Sequence, residues 1–121
     1  MLDPEVIIVL RLVPEFAERY LTLVEEVDGD PGAVLAFTDL ADFTAALARE
    51  LDRRLPLLER CLGAIEEVAA TSPDADELVG WAFLDTLSPE ETRALGPWLG
   101  PATRALLERL ELQPGEGRPT G

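Results

Sequence analysis

The sequence predicts an all-α single domain of six or seven helices, packed as antiparallel pairs in a bundle or a short α-solenoid-like stack. Three observations predict it. Proline, serine and aspartate punctuate the chain into helix-length pieces. Within those pieces apolar residues recur three and four positions apart. Only one stretch has the β-branched character of a strand, and no second strand exists to pair with it. A length of 121 residues with 47% apolar content is enough for one domain with a sizeable core. The domain is expected over residues 1–112, with a disordered Gly/Pro-rich tail over 113–121.

The first helix is expected from Pro4 to about residue 12, with Asp3 as its cap. Its run Val6-Ile7-Ile8-Val9-Leu10 also suits a strand; the helix is preferred because a lone strand has no partner. Pro14 opens a second helix to about residue 27, apolar at Val13, Phe16, Ala17, Tyr20, Leu21, Leu23, Val24 and Val27 and charged on the opposite face. Asp28-Gly29-Asp30-Pro31-Gly32 reads as a loop. Residues 34–38 read as a short connector, extended or one helical turn. A third helix follows from Thr38 or Asp39 to about residue 51, with Leu40, Phe43, Leu47 and Leu51 inward. The fourth is expected from about residue 55 to 70, with Pro56 near its start; Arg53-Arg54 is either a bend or simply helical, in which case helices three and four could be one kinked rod.

The body of the fifth helix, Leu78-Val79-Gly80-Trp81-Ala82-Phe83-Leu84, is apolar on nearly every side, which places it at the centre of the core with Asp74 or Asp76 as cap. Ser88-Pro89-Glu90-Glu91 is a capping box opening a short sixth helix that stops near Gly96-Pro97. The last helix runs to about residue 112, with Leu99, Ala102, Leu106 and Leu110 inward.

Composition removes whole classes of chemistry. The chain has no histidine, so Ser-His-Asp and Cys-His nucleophile pairs and the usual catalytic zinc triads are absent. With 24 acidic and 10 basic residues the net charge is −14, which argues against nucleic acid and anionic membranes as partners. The cations are all arginine and asparagine is missing, a pattern of GC-rich bacterial coding. A single cysteine, Cys61, cannot form an internal disulfide and falls in an apolar helical pattern, which fits a reduced, cytoplasmic chain. The acidic start Met1-Leu2-Asp3-Pro4-Glu5 lacks the basic region of a secretory signal.

The motif search returns little. Asp28, Asp30 and Asp39 match three positions of a calcium loop, but Gly32 and Ala33 stand where a ligand and the turn glycine belong. The pairs Glu25-Glu26, Glu66-Glu67 and Glu90-Glu91 point in different directions on a helix, and no phosphate-binding glycine string occurs. Trp81 and Trp98 read as core anchors. No enzyme, cofactor or metal site is therefore expected. Charge remains. Residues 57–87 carry seven acids against Arg60 alone. Such a surface steers toward a basic partner protein. The candidate contact residues are Asp39, Asp42, Glu66, Glu67, Asp74, Asp76 and Glu77.

Several segments, taken in order, carry a resemblance: Pro14-Glu15-Phe16, Arg19-Tyr20, Phe37-Thr38-Asp39-Leu40-Ala41-Asp42-Phe43 and Leu57-Leu58-Glu59-Arg60. Ile65-Glu66-Glu67, Leu78-Val79-Gly80-Trp81-Ala82-Phe83-Leu84-Asp85-Thr86-Leu87, Leu95-Gly96-Pro97 and Leu106-Leu107-Glu108 continue it. Together they resemble a group of small, acidic, helical bacterial proteins of unknown function associated with immunity-type proteins of toxin systems. The resemblance covers about residues 5–111, implies a helical fold and an inhibitor's role, and carries over no catalytic residue. A binding module for a basic protein is thus the leading expectation. The alternatives are a structural or regulatory adaptor with an apolar interface, or homodimer, and a small-molecule or metal sensor. The sequence leaves the oligomeric state open.

Overall fold

The computed structural model describes residues 2–111; the expected tail lies outside the described residues. Seven helices and no strand occur among them: α1 (Pro4–Leu12), α2 (Ala17–Val27), α3 (Gly32–Ala48), α4 (Leu51–Thr71), α5 (Asp76–Phe83), α6 (Pro89–Leu95) and α7 (Pro101–Glu111). A 3₁₀ turn, Pro14–Phe16, leads into α2, and two more, Leu84–Thr86 and Gly96–Trp98, follow α5 and α6. The domain is an all-α bundle. No helix is long and apolar enough to cross a membrane among the described residues.

Helix starts follow local chemistry in some places and tertiary packing in others. Val6–Leu10 is helical, and Pro4 sits in the first turn, but the Asp3 side chain makes no capping hydrogen bond. The 28–32 turn uses the residues that tolerate unusual backbone: Asp28 is left-handed at φ 56°, Gly29 has φ 150° and Gly32 φ 83°. Its Asp30 Oδ1 accepts the Gly32 N–H at 2.9 Å. Ser88 forms the expected capping box, accepting from Glu91 N at 3.1 Å while Glu91 Oε1 accepts from Ser88 N at 2.9 Å.

Four sequence expectations give way. Residues 34–38 form no separate connector, because Ala36 and Phe37 extend the buried stripe of Leu40 and Ala41 backwards along one helix face. α3 therefore begins at Gly32, and Asp39 lies mid-helix, where it caps nothing. The third helix ends at Ala48 and the fourth begins at Leu51, earlier than expected, so the break falls at Arg49 and Glu50; Arg53 and Arg54 are helical, one of the two readings they allowed. Pro56 lies inside α4 and leaves the carbonyl of exposed Asp52 to water. Neither Asp74 nor Asp76 caps α5; the Ser72 hydroxyl instead accepts the Asp74 N–H at 3.0 Å.

α3 and α4 form the middle of the bundle: α1, α3, α5 and α7 pack on α4, and α2, α5 and α6 pack on α3. Leu40, Leu58, Ile65, Val68, Val79 and Phe83 are wholly enclosed there. α5 is central as its composition predicts, and it is wound as a π-helix. Trp98 packs partly buried on the core, whereas Trp81 is half-buried and faces a surface cavity, so it is no core anchor.

Cys61 is fully enclosed, and burial pushes its thiol up to about 12 from the usual 9.0. Between those values the folded state holds a proton that the unfolded state has lost. Stability contributed by the thiol is complete below the unfolded value and falls as pH rises through the window. Cys61 should thus resist thiol reagents near neutrality until the chain is denatured. Its denaturation midpoint should fall from about pH 8 to about pH 11 by more than that of a Cys61→Ala variant. Rapid labelling of the native protein would contradict this.

Candidate functional site

The seven candidate acids do not form one surface. Four are engaged within the fold. Asp39 accepts from Arg19 Nε at 2.9 Å and Nη2 at 2.7 Å, a two-pronged pair that ties α2 to α3. The Arg19 guanidinium lies 5.7 Å from the Phe43 ring, which stands edge-on to Phe16. Asp39, with Asp42 adding to the field, holds the Arg19 pKa above its ordinary value. Glu67 pairs with Arg11 of α1 at 3.2 Å, and Asp76 pairs with Arg109 of α7. Both pairs are exposed and contribute about 0–1 kcal/mol each.

Glu66 is the fourth, and its role is structural. α7 begins Gly100-Pro101, so the position before its first turn has no side chain to cap it. Glu66 reaches over from α4 instead. Its Oε2 accepts from Ala102 N at 2.9 Å, and its Oε1 accepts from Thr103 N at 3.0 Å and from the Thr103 hydroxyl at 2.9 Å. A carboxylate at a helix N-terminus also meets the positive end of the helix dipole. The approach is close: a Cβ built on Gly100 would stand 2.4 Å from Glu66 Cδ.

Asp74 and Glu77 meet at a different place. They line an open cleft of about 540 Å³ formed by the start of α1, the start of α3 and the segment joining α4 to α5. Asp3 and Glu5 join them from α1, so four carboxylates line the cleft, and among the described residues none of its lining is basic. Ile8, Ala33, Val34 and Leu78 supply apolar wall. Glu5 is the buried member, 9% exposed, and its Oε2 accepts from the Ser72 hydroxyl at 2.6 Å. Asp42 is exposed on α3 and lies outside this cleft.

The sequence reading missed Asp3 and Glu5, having assigned the first to a helix cap. Both lie some 70 residues of chain before Asp74 and Glu77, outside the acidic 57–87 stretch. Among the described residues no group of three Asp, Glu, His or Cys side chains is placed to hold a metal ion. No known protein family, curated protein or solved structure matches the chain.

Removing the Glu66 carboxylate strands two amides and a buried hydroxyl, so Glu66→Ala should cost about 2–3 kcal/mol in denaturant unfolding. Gly100→Ala should destabilise chiefly by displacing that carboxylate. Its cost should shrink in the Glu66→Ala background, giving a coupling of about 1 kcal/mol in a double-mutant cycle. Additive costs would show that the cap is not what Gly100 protects.

Proposed function

We propose that this protein is a non-enzymatic binding module that seats a basic partner protein at its acidic cleft, in the manner of an immunity-type inhibitor of a basic toxin in the bacterial cytoplasm. The observation that carries this reading is the cleft lined by Asp3, Glu5, Asp74 and Glu77, with no basic residue in its lining among the described residues. Several acids elsewhere are engaged within the fold. Asp39, Glu67, Asp76, Glu15 and Glu91 each hold an arginine, and Glu66 holds a helix end. At the cleft four carboxylates line one cavity beside aliphatic side chains, with no ion pair to an arginine among the described residues.

An arginine or lysine from a partner fits both features: its alkyl stem lies along Ile8, Val34 and Leu78 while its cationic head meets the carboxylates. Partial enclosure strengthens the attraction relative to bulk water, and the residual field raises the encounter rate. The resemblance to small acidic immunity-type proteins points the same way. Inhibition then requires no chemistry: occupying a toxin's basic, substrate-binding surface is sufficient.

A second reading rests on the exposed large apolar side chains, Ile7, Leu21, Val27, Val34 and Leu35, which all lie in the first three helices and their loop. They support an adaptor that pairs through an apolar face or forms a homodimer. Sedimentation over a range of concentrations separates the two, since the homodimer reading requires the mass to double.

Nona-arginine serves as a probe for the first reading. In NMR titration it should shift the amides of Asp3, Glu5, Ile8, Ala33, Val34, Asp74 and Glu77 ahead of the other acidic residues. Asp74→Asn with Glu77→Gln should weaken binding about tenfold or more while leaving the helical signal unchanged. Raising the salt to about 0.5 M should weaken it further. Shifts spread evenly over every acidic face would contradict the proposal.

A further inference from the structure

A second cavity, of about 350 Å³, opens between α5, α6 and α7 and shares no lining residue with the acidic cleft. We propose that it binds a small carboxylic acid with an apolar body, held by Arg93. The walls are Trp81, Leu84, Leu87, Leu107 and Leu110. That composition, an aromatic face with four leucines and few polar groups, is typical of small-molecule sites, and the volume falls within their usual range.

The local backbone builds the cavity. A π-helical turn is rare and occurs often at functional sites, because its wider winding re-aims side chains. In α5 it seats Val79 and Phe83 in the core yet leaves the Trp81 indole half-buried on the cavity side. Gly80 lets α7 close the floor: a Cβ there would lie 2.6 Å from Leu110 Cδ1. The wall is thus shaped by the close approach of two helices.

Arg93 determines the ligand's charge. Of the nine described arginines, six hold a carboxylate and Arg104 donates to the Leu99 and Gly96 carbonyls. Arg54 and Arg93 have no such partner among the described residues. Acids outnumber arginines 24 to 10 in this chain, so an arginine left over at an apolar cavity is a departure from its general pattern. Asp85 lines the same cavity but already has an interacting partner of its own. Arg93 is the cation in the cavity lining, and its guanidinium fork matches a carboxylate. The Thr92 hydroxyl beside it supplies one further donor.

Three probes that differ only in the head group test this: 4-phenylbutyrate, 4-phenylbutyramide and 4-phenylbutylamine, followed by calorimetry and by the Trp81 indole resonance. The acid should bind about tenfold or more tightly than the amide, the worth of one charge-assisted pair, and the amine should bind weakest. Arg93→Gln should level the acid with the amide, while Arg54→Gln should leave the preference intact. Both arginines are exposed, so neither variant threatens the fold. Absence of binding by the acid at millimolar concentration, equal affinity of acid and amide for the unaltered protein, or a preference for the amine would overturn the proposal.

Discussion

The carboxylate of Glu66 closes the start of α7, and much of the architecture follows from that contact. A helix opening on Gly100-Pro101 presents its first N–H groups with no side chain of its own to receive them. Glu66 accepts two of them and the buried Thr103 hydroxyl, from a position 36 and 37 residues earlier on α4. The same contact fixes where α7 sits on the bundle. Leu106 then fills the core, and Leu107 and Leu110 wall the cavity that Trp81 faces. Without the cap, the last helix would keep its hydrophobic stripe but lose the polar contact that sets its register against α4.

Most of the fold was legible in the sequence because most of its signals are local. The capping box at Ser88, the proline starts at residues 4 and 14, the Asp-Gly turn at 28–32 and the all-apolar body of α5 each depend on residues within one or two turns. The site was legible only in part, for the complementary reason. An acidic residue that caps a distant helix and one that faces solvent have the same letter and the same helical spacing. Asp39 finds its arginine 20 residues away and Glu67 finds its own 56 away, and periodicity carries no information about such partners. One signal was available: a helix that begins Gly-Pro without Ser, Thr, Asp or Asn before it needs an acceptor from elsewhere. The start of α3 was misplaced because residues 34–37 are apolar without a break, which suits a buried helix and an extended segment equally.

The charge of −14 thereby divides into two populations. One is structural: carboxylates that bind arginines across helix pairs or complete a helix end, and so are already spoken for. The other is the remainder, and the cleft between α1, α3 and the 71–78 segment gathers four of them beside aliphatic walls. Glu66 and Glu67 belong to the first population, whereas Asp3, Glu5, Asp74 and Glu77 belong to the second. Arg93 also stands out, since a chain so rich in acids leaves few cations without one.

The assignment of Glu66 to the fold is the step on which this division turns, and NMR tests it directly. The amides of Ala102 and Thr103 are compared between the unaltered protein and Glu66→Ala. The account predicts that both lose protection from hydrogen exchange in the variant, because the acceptor they bond is gone. Amides equally protected with and without the carboxylate would contradict it and return that carboxylate to the solvent-facing surface.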